Sequence, residues 1–198
     1  KDRYTISDGQ SDRPAELVGK MLFGAQSPLD FPTVGDWVLA DIYDEPAVSI
    51  IHDIVPRRSL LKRKSAGKKV EYQLIAANID TAFIVQSLDE NFNLRRLERY
   101  LVMTSQSHIE PVVLLSKSDL IDAGTTTDRI EAIRQIMPNL QVFPFSSLTD
   151  SGLSIVTTQL AAGRTYCLLG SSGVGKTTLL NRVAGTTLFK TKQVREKD

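Results

Sequence analysis

The chain has 198 residues, 41% hydrophobic and 24% charged, with a formal net charge of +1 and one cysteine, Cys167. No apolar run approaches the ~20 residues of a membrane span, and no N-terminal stretch has the charged, apolar and cleavage regions of a secretory signal. A lone cysteine excludes an internal disulfide framework and a multi-cysteine zinc site within these residues, so we expect a cytoplasmic protein with no membrane partner.

The charge is uneven along the chain. Residues 1–56 carry four basic and ten acidic residues, and residues 57–69 carry seven basic ones and no acid. Residues 70–198 balance at thirteen of each. Such asymmetry says more about partners than the net charge does.

Residues 1–56 read as all-β. The stretches 3–7, 15–21, 36–43 and 47–55 are short and rich in Val, Ile, Trp and Tyr, with Gly, Pro and Asp between them. The spacing suggests a small five-stranded barrel of the oligonucleotide-binding kind, although only about four strands are visible. A β-domain used for packing alone fits the same composition. The basic run 57–69 (Arg57, Arg58, Lys62, Arg63, Lys64, Lys68, Lys69) reads as a linker. It is either a solvated connector or a phosphate-contacting patch beside the barrel, and no aromatic residue interleaves it for base stacking.

From Val70 the pattern changes. Strands are expected at 81–88, 111–115, 140–145 and 165–169, and helices at 93–106, 128–137 and 152–160. Thr127 or Asp128 is the expected cap of the second helix, and Pro138 follows it. Alternating strands and helices imply a mostly parallel sheet covered on both faces. Ligands of such sheets lie at the carboxyl ends of the strands, which directs attention to the loops after residues 115, 145 and 169.

The last of these loops is Gly170-Ser171-Ser172-Gly173-Val174-Gly175-Lys176-Thr177, a match to G-x-x-x-x-G-K-[ST] at every fixed position. The apolar run before it and the helical run opening at Thr178 supply the strand–loop–helix context. Glycines at 170, 173 and 175 let the backbone approach a polyphosphate. The loop N–H groups and the helix N-terminus then face negative charge. Lys176 can reach the β- and γ-phosphates, and the Thr177 hydroxyl can ligate Mg²⁺. The motif therefore implies a nucleoside triphosphate, held by residues 170–178.

The other two loops bear on the base. After residue 115 comes Ser116-Lys117-Ser118-Asp119, and after residue 145 comes Ser146-Ser147. Guanine presents two adjacent donors, N1–H and its N2 amine, which one carboxylate matches with two parallel bonds. Asp119 suits that role at roughly 1.5–3 kcal/mol per charged bond. The stem of Lys117 can lie over the base, and a backbone N–H near Ser146 or Ser147 can meet O6.

The order of these loops is unusual, because both base loops precede the phosphate loop. Only 21 residues follow Thr177, and no D-x-x-G lies among them. A circular permutation reconciles the order with a closed fold. In this arrangement the sequence resembles the circularly permuted, small-ribosomal-subunit-dependent GTPase family of bacteria. Five stretches carry the resemblance: Pro32-Thr33-Val34-Gly35-Asp36-Trp37-Val38, Ala76-Ala77-Asn78-Ile79-Asp80, Arg95-Arg96-Leu97-Glu98-Arg99-Tyr100-Leu101, the 116–119 loop and the phosphate loop.

The resemblance implies an oligonucleotide-binding barrel with its basic linker at 1–69, then a circularly permuted α/β P-loop GTPase domain at 70–198. It implies GTP and GDP with Mg²⁺ as ligands, and hydrolysis stimulated by the small subunit during that subunit's late maturation. Subunit and ribosomal RNA are then the partners of a monomer, and the basic run becomes a candidate RNA contact. Ser116 departs from the Asn that GTPases favour there, and its shorter reach suggests a loop held less firmly. The family's catalytic switch segment, its D-x-x-G loop and its Cys/His zinc domain are expected beyond Asp198. We accordingly expect a fragment that binds nucleotide and hydrolyses it slowly or not at all.

His52 and His108 stand in no catalytic pairing, and Cys167 reads as a small core hydrophobe. Asp122, Asp128 and Glu131 read as helix-end and surface charges. Two other functions compete: an ATP-using P-loop enzyme, and an RNA-binding protein with a regulatory nucleotide site.

Overall fold

The computed structural model describes residues 3–43, 47–64, 72–187 and 189. The chain forms two compact units, Lys1–Asn78 and Ile79–Asp198.

In the first unit β1 (Tyr4–Ser7), β2 (Asp12–Leu17), β3 (Val38–Asp41) and β4 (Ser49–Ile54) form a sheet in the order β1-β2-β4-β3. The outer pairs are antiparallel and β2 runs parallel to β4. A separate hairpin joins β5 (Leu60–Lys64) to β6 (Tyr72–Ala77). Among the described residues these strands do not bond as one five-stranded sheet.

Three expectations change here. The stretch 15–21 is the end of β2 followed by a short helix, α1 (Gly19–Gly24). The three-residue apolar run Met21–Phe23 carries no period long enough to distinguish strand from helix. The basic run is no linker: its middle is β5, and Lys62 lies 4.7 Å over the Tyr72 ring centre. Lys68 and Lys69 lie outside the described residues. Finally, β6 belongs with β5, so the unit ends at Asn78 rather than at residue 69.

Arg57 shows why the unit holds. Its Nε and Nη2 donate to the two Asp36 carboxylate oxygens, each at 2.8 Å. Its Nη1 and Nη2 also donate to the carbonyls of Leu29 and Phe31, each at 2.7 Å. Gly35, in the 32–38 stretch, also meets Ala77 and Asn78. Gly35, at φ 88, lies so close to the Ala77 carbonyl that a Cβ would strike it. Asn78, itself at φ 56, donates from Nδ2 to the Gly35 carbonyl and accepts the Arg58 N–H.

The second unit contains β7 (Thr81–Ser87), β8 (Glu110–Ser116), β9 (Gln141–Pro144) and β10 (Tyr166–Leu169), ordered β10-β7-β8-β9 and parallel at every pairing. Every residue of β7 is buried, as a strand covered on both faces must be. The helices are α2 (Leu94–Gln106), α3 (Ala123–Ile136), α4 (Leu153–Thr158) and α5 (Lys176–Val183). One core gathers Phe83, Val85, Leu114, Phe145, Val156, Val174 and Leu179.

Asn93 caps α2 by accepting the Arg96 N–H. Helix α3 starts earlier than its apolar pattern suggests. Its cap is Asp122, which accepts the Thr125 N–H and hydroxyl, not Thr127 or Asp128. The Gly-Thr-Thr-Thr opening has poor helix propensity. It is held by Thr126 and Thr127 hydroxyls bonded to carbonyls one turn back.

Candidate nucleotide-binding site

A parallel sheet points all its strand ends one way. The register pairs Ser87 with Ser116, Leu115 with Pro144, and Leu169 with Ile84. The chain therefore leaves β7, β8, β9 and β10 on one edge of the sheet, and the three loops expected to bind nucleotide emerge together there.

The phosphate loop is built on close approach. Gly170 has φ 149, and a Cβ on it would strike the Val85 carbonyl. Gly173 and Gly175 also take positive φ. Val174 turns inward and is buried in the core, which pins the centre of the loop. Among the described residues, the backbone N–H groups of residues 171–178 donate to no protein acceptor. They form a row of free donors ahead of α5, the arrangement that suits phosphate oxygens. Lys176 folds across them, its ammonium donating to the carbonyls of Gly170 at 2.9 Å and Ser171 at 2.6 Å. Burial lowers its pKa from the ordinary lysine value. Ser172 is exposed, while Ser171, Thr177 and Thr178 are half-buried around the same turn.

The 116–119 loop is joined directly to it. The buried Ser116 hydroxyl donates to the Val174 carbonyl at 2.6 Å. The shorter side chain thus still reaches the phosphate loop, by this one bond. Lys117 adopts the left-handed conformation, φ 60 and ψ 38, and opens the turn Ser118–Leu120. Asp119 is exposed in that turn.

The third loop is a tight turn. Ser146 is fully buried; its hydroxyl accepts the N–H groups of Leu148 and Thr149, and its own N–H donates to the Ser151 carbonyl. Of the two serines, Ser147 is the one that keeps a backbone donor for a base among the described residues. Two bonds tie the base loops to each other, Ser118 N–H to the Phe145 carbonyl and Phe145 N–H to the Leu115 carbonyl.

Sequence reasoning missed Asp89. It follows β7 and bonds the Lys117 ammonium at 2.7 Å. Its other oxygen accepts the Ser87 hydroxyl at 2.7 Å and the Asn91 N–H at 3.0 Å. Burial pushes its carboxyl up, but the bonds from Lys117, Ser87 and Asn91 outweigh burial and hold it below the usual aspartate value. The signal was present, since the strand-end rule applied to loops 115, 145 and 169 applies equally after residue 88.

His52 pairs with Asp41 at 2.8 Å in the first unit, and His108 is an exposed turn residue. Neither lies in the three loops. Burial pushes the Cys167 thiol up to about 11, which leaves it an unreactive wall residue. No group of three or more His, Cys, Asp or Glu suited to a metal occurs among the described residues.

A sequence profile described as RsgA GTPase matches residues 54–198. The chain belongs to the RsgA GTPase family. A small ribosomal subunit biogenesis GTPase RsgA 2 from Lactiplantibacillus plantarum is 39% identical over 199 residues, covering 100% of this chain and 55% of that protein. A small ribosomal subunit biogenesis GTPase RsgA from Methanosarcina acetivorans is 44% identical over 167 residues, 84% of this chain and 45% of that protein. The chain thus spans about half the length of the curated relatives it matches. Among solved structures, YjeQ from Thermotoga maritima superposes with a TM-score of 0.69 at 22% identity, over 91% of this chain and 60% of that one. YloQ, described as a circularly permuted GTPase, gives 0.60 at 27% identity, over 90% and 59%.

Proposed function

We propose that this chain forms the RNA-binding and guanine-nucleotide-binding part of a GTPase that acts in maturation of the small ribosomal subunit. The observation that carries the reading is the Ser116–Val174 bond, which sets a candidate base loop directly against the phosphate loop. Family membership supports the guanine assignment, and the names of its relatives support the ribosomal one.

In this reading Lys176 and the free N–H row bind the phosphates. The donor set fits: one ammonium, a helix N-terminus and a loop whose glycine leaves no room for a Cβ. Mg²⁺, when bound, neutralises phosphate charge, and Thr177 is the residue here that would ligate it. Asp119 accepts the two guanine donors, and the Ser147 N–H meets O6. The second unit is a circularly permuted GTPase domain, and the first is an open variant of the oligonucleotide-binding barrel. Its RNA contact draws on the basic residues of β5, Lys62, Arg63 and Lys64, rather than Arg57, which makes four hydrogen bonds within its own unit. The protein works as a cytoplasmic monomer on the subunit's RNA.

The test is competition between fluorescent GDP and ADP, with Asp119→Asn alongside. Guanine preference is expected, and Asp119→Asn should shift it toward xanthosine nucleotides. Equal binding of GDP and ADP would support an ATP-using enzyme instead. Added small subunits should accelerate phosphate release from the full-length protein; no acceleration would leave RNA binding with a regulatory nucleotide site.

A further inference from the structure

Asp89 occupies a position that the reading above does not use. It lies two residues beyond Ser87, while Lys117 lies one residue beyond Ser116, and Ser87 and Ser116 are paired neighbours across β7 and β8. The sheet register alone therefore brings this carboxylate to the ammonium.

The carboxylate is itself fixed. One oxygen takes the Ser87 hydroxyl and the Asn91 N–H, leaving the other for Lys117. The backbone on either side is anchored too. Leu88 N–H donates to the Ser116 carbonyl at 2.8 Å, and Arg129, stacked 4.8 Å over the Phe92 ring centre, reaches the Asp89 carbonyl at 3.4 Å. Lys117, by contrast, is a flexible side chain on a left-handed residue, with Asp89 as its charged partner. A long lysine stem has many rotamers, so a fixed charge at its far end selects among them before any ligand arrives.

We infer that Asp89 is a positioning residue for guanine nucleotides: it holds the Lys117 stem extended along the site so that the aliphatic carbons form the platform for the base. The inference rests on the assignment of residues 116–119 to the base. Because the platform touches only the base end, Asp89 acts equally on GDP and GTP. Its effect passes entirely through Lys117.

A double-mutant cycle on the full-length protein tests this, with fluorescent GDP and GTP as probes and thermal unfolding as the check on folding. Asp89→Asn should weaken both nucleotides by the same factor, roughly three- to tenfold. In a Lys117→Met background the same change should have no further effect. Asp89→Ser provides a second removal of the carboxylate should the Asn variant unfold. The inference is overturned if the Asp89 variants bind normally, if the loss persists undiminished in the Lys117→Met background, or if GTP suffers much more than GDP. Asp119→Asn separates the two levels of failure. If it leaves base preference unchanged, the loop assignment itself is wrong; if it switches preference while Asp89 remains neutral, only the positioning role is.

Discussion

Each unit contains one prominent pairing of a carboxylate with a cation, and the two differ in kind. Asp36 and Arg57 are 1% and 15% exposed, bonded bidentately, with the guanidinium's other donors on two carbonyls. Asp89 and Lys117 are 24% and 31% exposed and share a single bond. A guanidinium held by four hydrogen bonds is a fixed strut, and removing its partner strands a buried charge. An ammonium with one partner keeps two donors and part of its water, so its loss is cheap for the fold and felt mainly by a ligand. Burial and bond number, rather than charge, separate a structural pair from a site pair.

The largest effect should come from breaking the strut. Asp36→Ala leaves Arg57 buried without its counter-charge, and we expect a loss of about 3–5 kcal/mol in calorimetric or denaturant unfolding. GDP affinity of the still-folded protein should be unchanged, because Asp36 belongs to the other unit; a large affinity loss would erase the contrast between the pairs. Gly170→Ala comes next. The new Cβ meets the Val85 carbonyl at a φ that side chains avoid, costing about 1–3 kcal/mol in strain. Titration should show nucleotide binding lost in a protein that still melts cooperatively.

Ser116→Ala removes a buried donor from the Val174 carbonyl, and about 1–3 kcal/mol should be lost, read as both a lower melting temperature and weaker GDP binding. The smallest effect is one of pH. The folded Asp89 carboxyl is held below its unfolded value, so it favours the folded state at neutral pH and down to the ordinary aspartate range near ~3.9. That contribution disappears as pH falls further through the lowered folded value. The acid limb of a melting-temperature profile should therefore be steeper for the native protein than for Asp89→Asn.

Much of the second unit was legible because its signals are local. A phosphate-loop motif fixes a strand before it and a helix after it, and apolar runs of five to seven residues mark covered parallel strands. The placement of Ser116, Lys117 and Asp119 on the edge of the sheet followed from strand order alone. What escaped was non-local or masked by composition. The hairpin β5–β6 lay hidden because basic residues occupy β5, and charge says nothing about backbone pairing. Helix α3 began where Gly and three threonines argue against a helix, and only Asp122's side-chain bonds reverse that preference. Asp89 was unremarkable because its partner is 28 residues away. No spacing rule along one element connects them; the register of two strands does.

Val174 has its side chain in the hydrophobic core while its carbonyl takes the Ser116 hydroxyl and its neighbours carry the free N–H row. The loop is therefore not a flap that closes on a ligand independently of the rest. Whatever steadies it steadies the core beneath, so occupancy is written into the melting curve. A ligand at a hundred times its dissociation constant should raise the unfolding free energy by about 2.7 kcal/mol. The protein then serves as its own thermometer for nucleotide identity: a label-free melt against a panel of bases ranks them without any turnover.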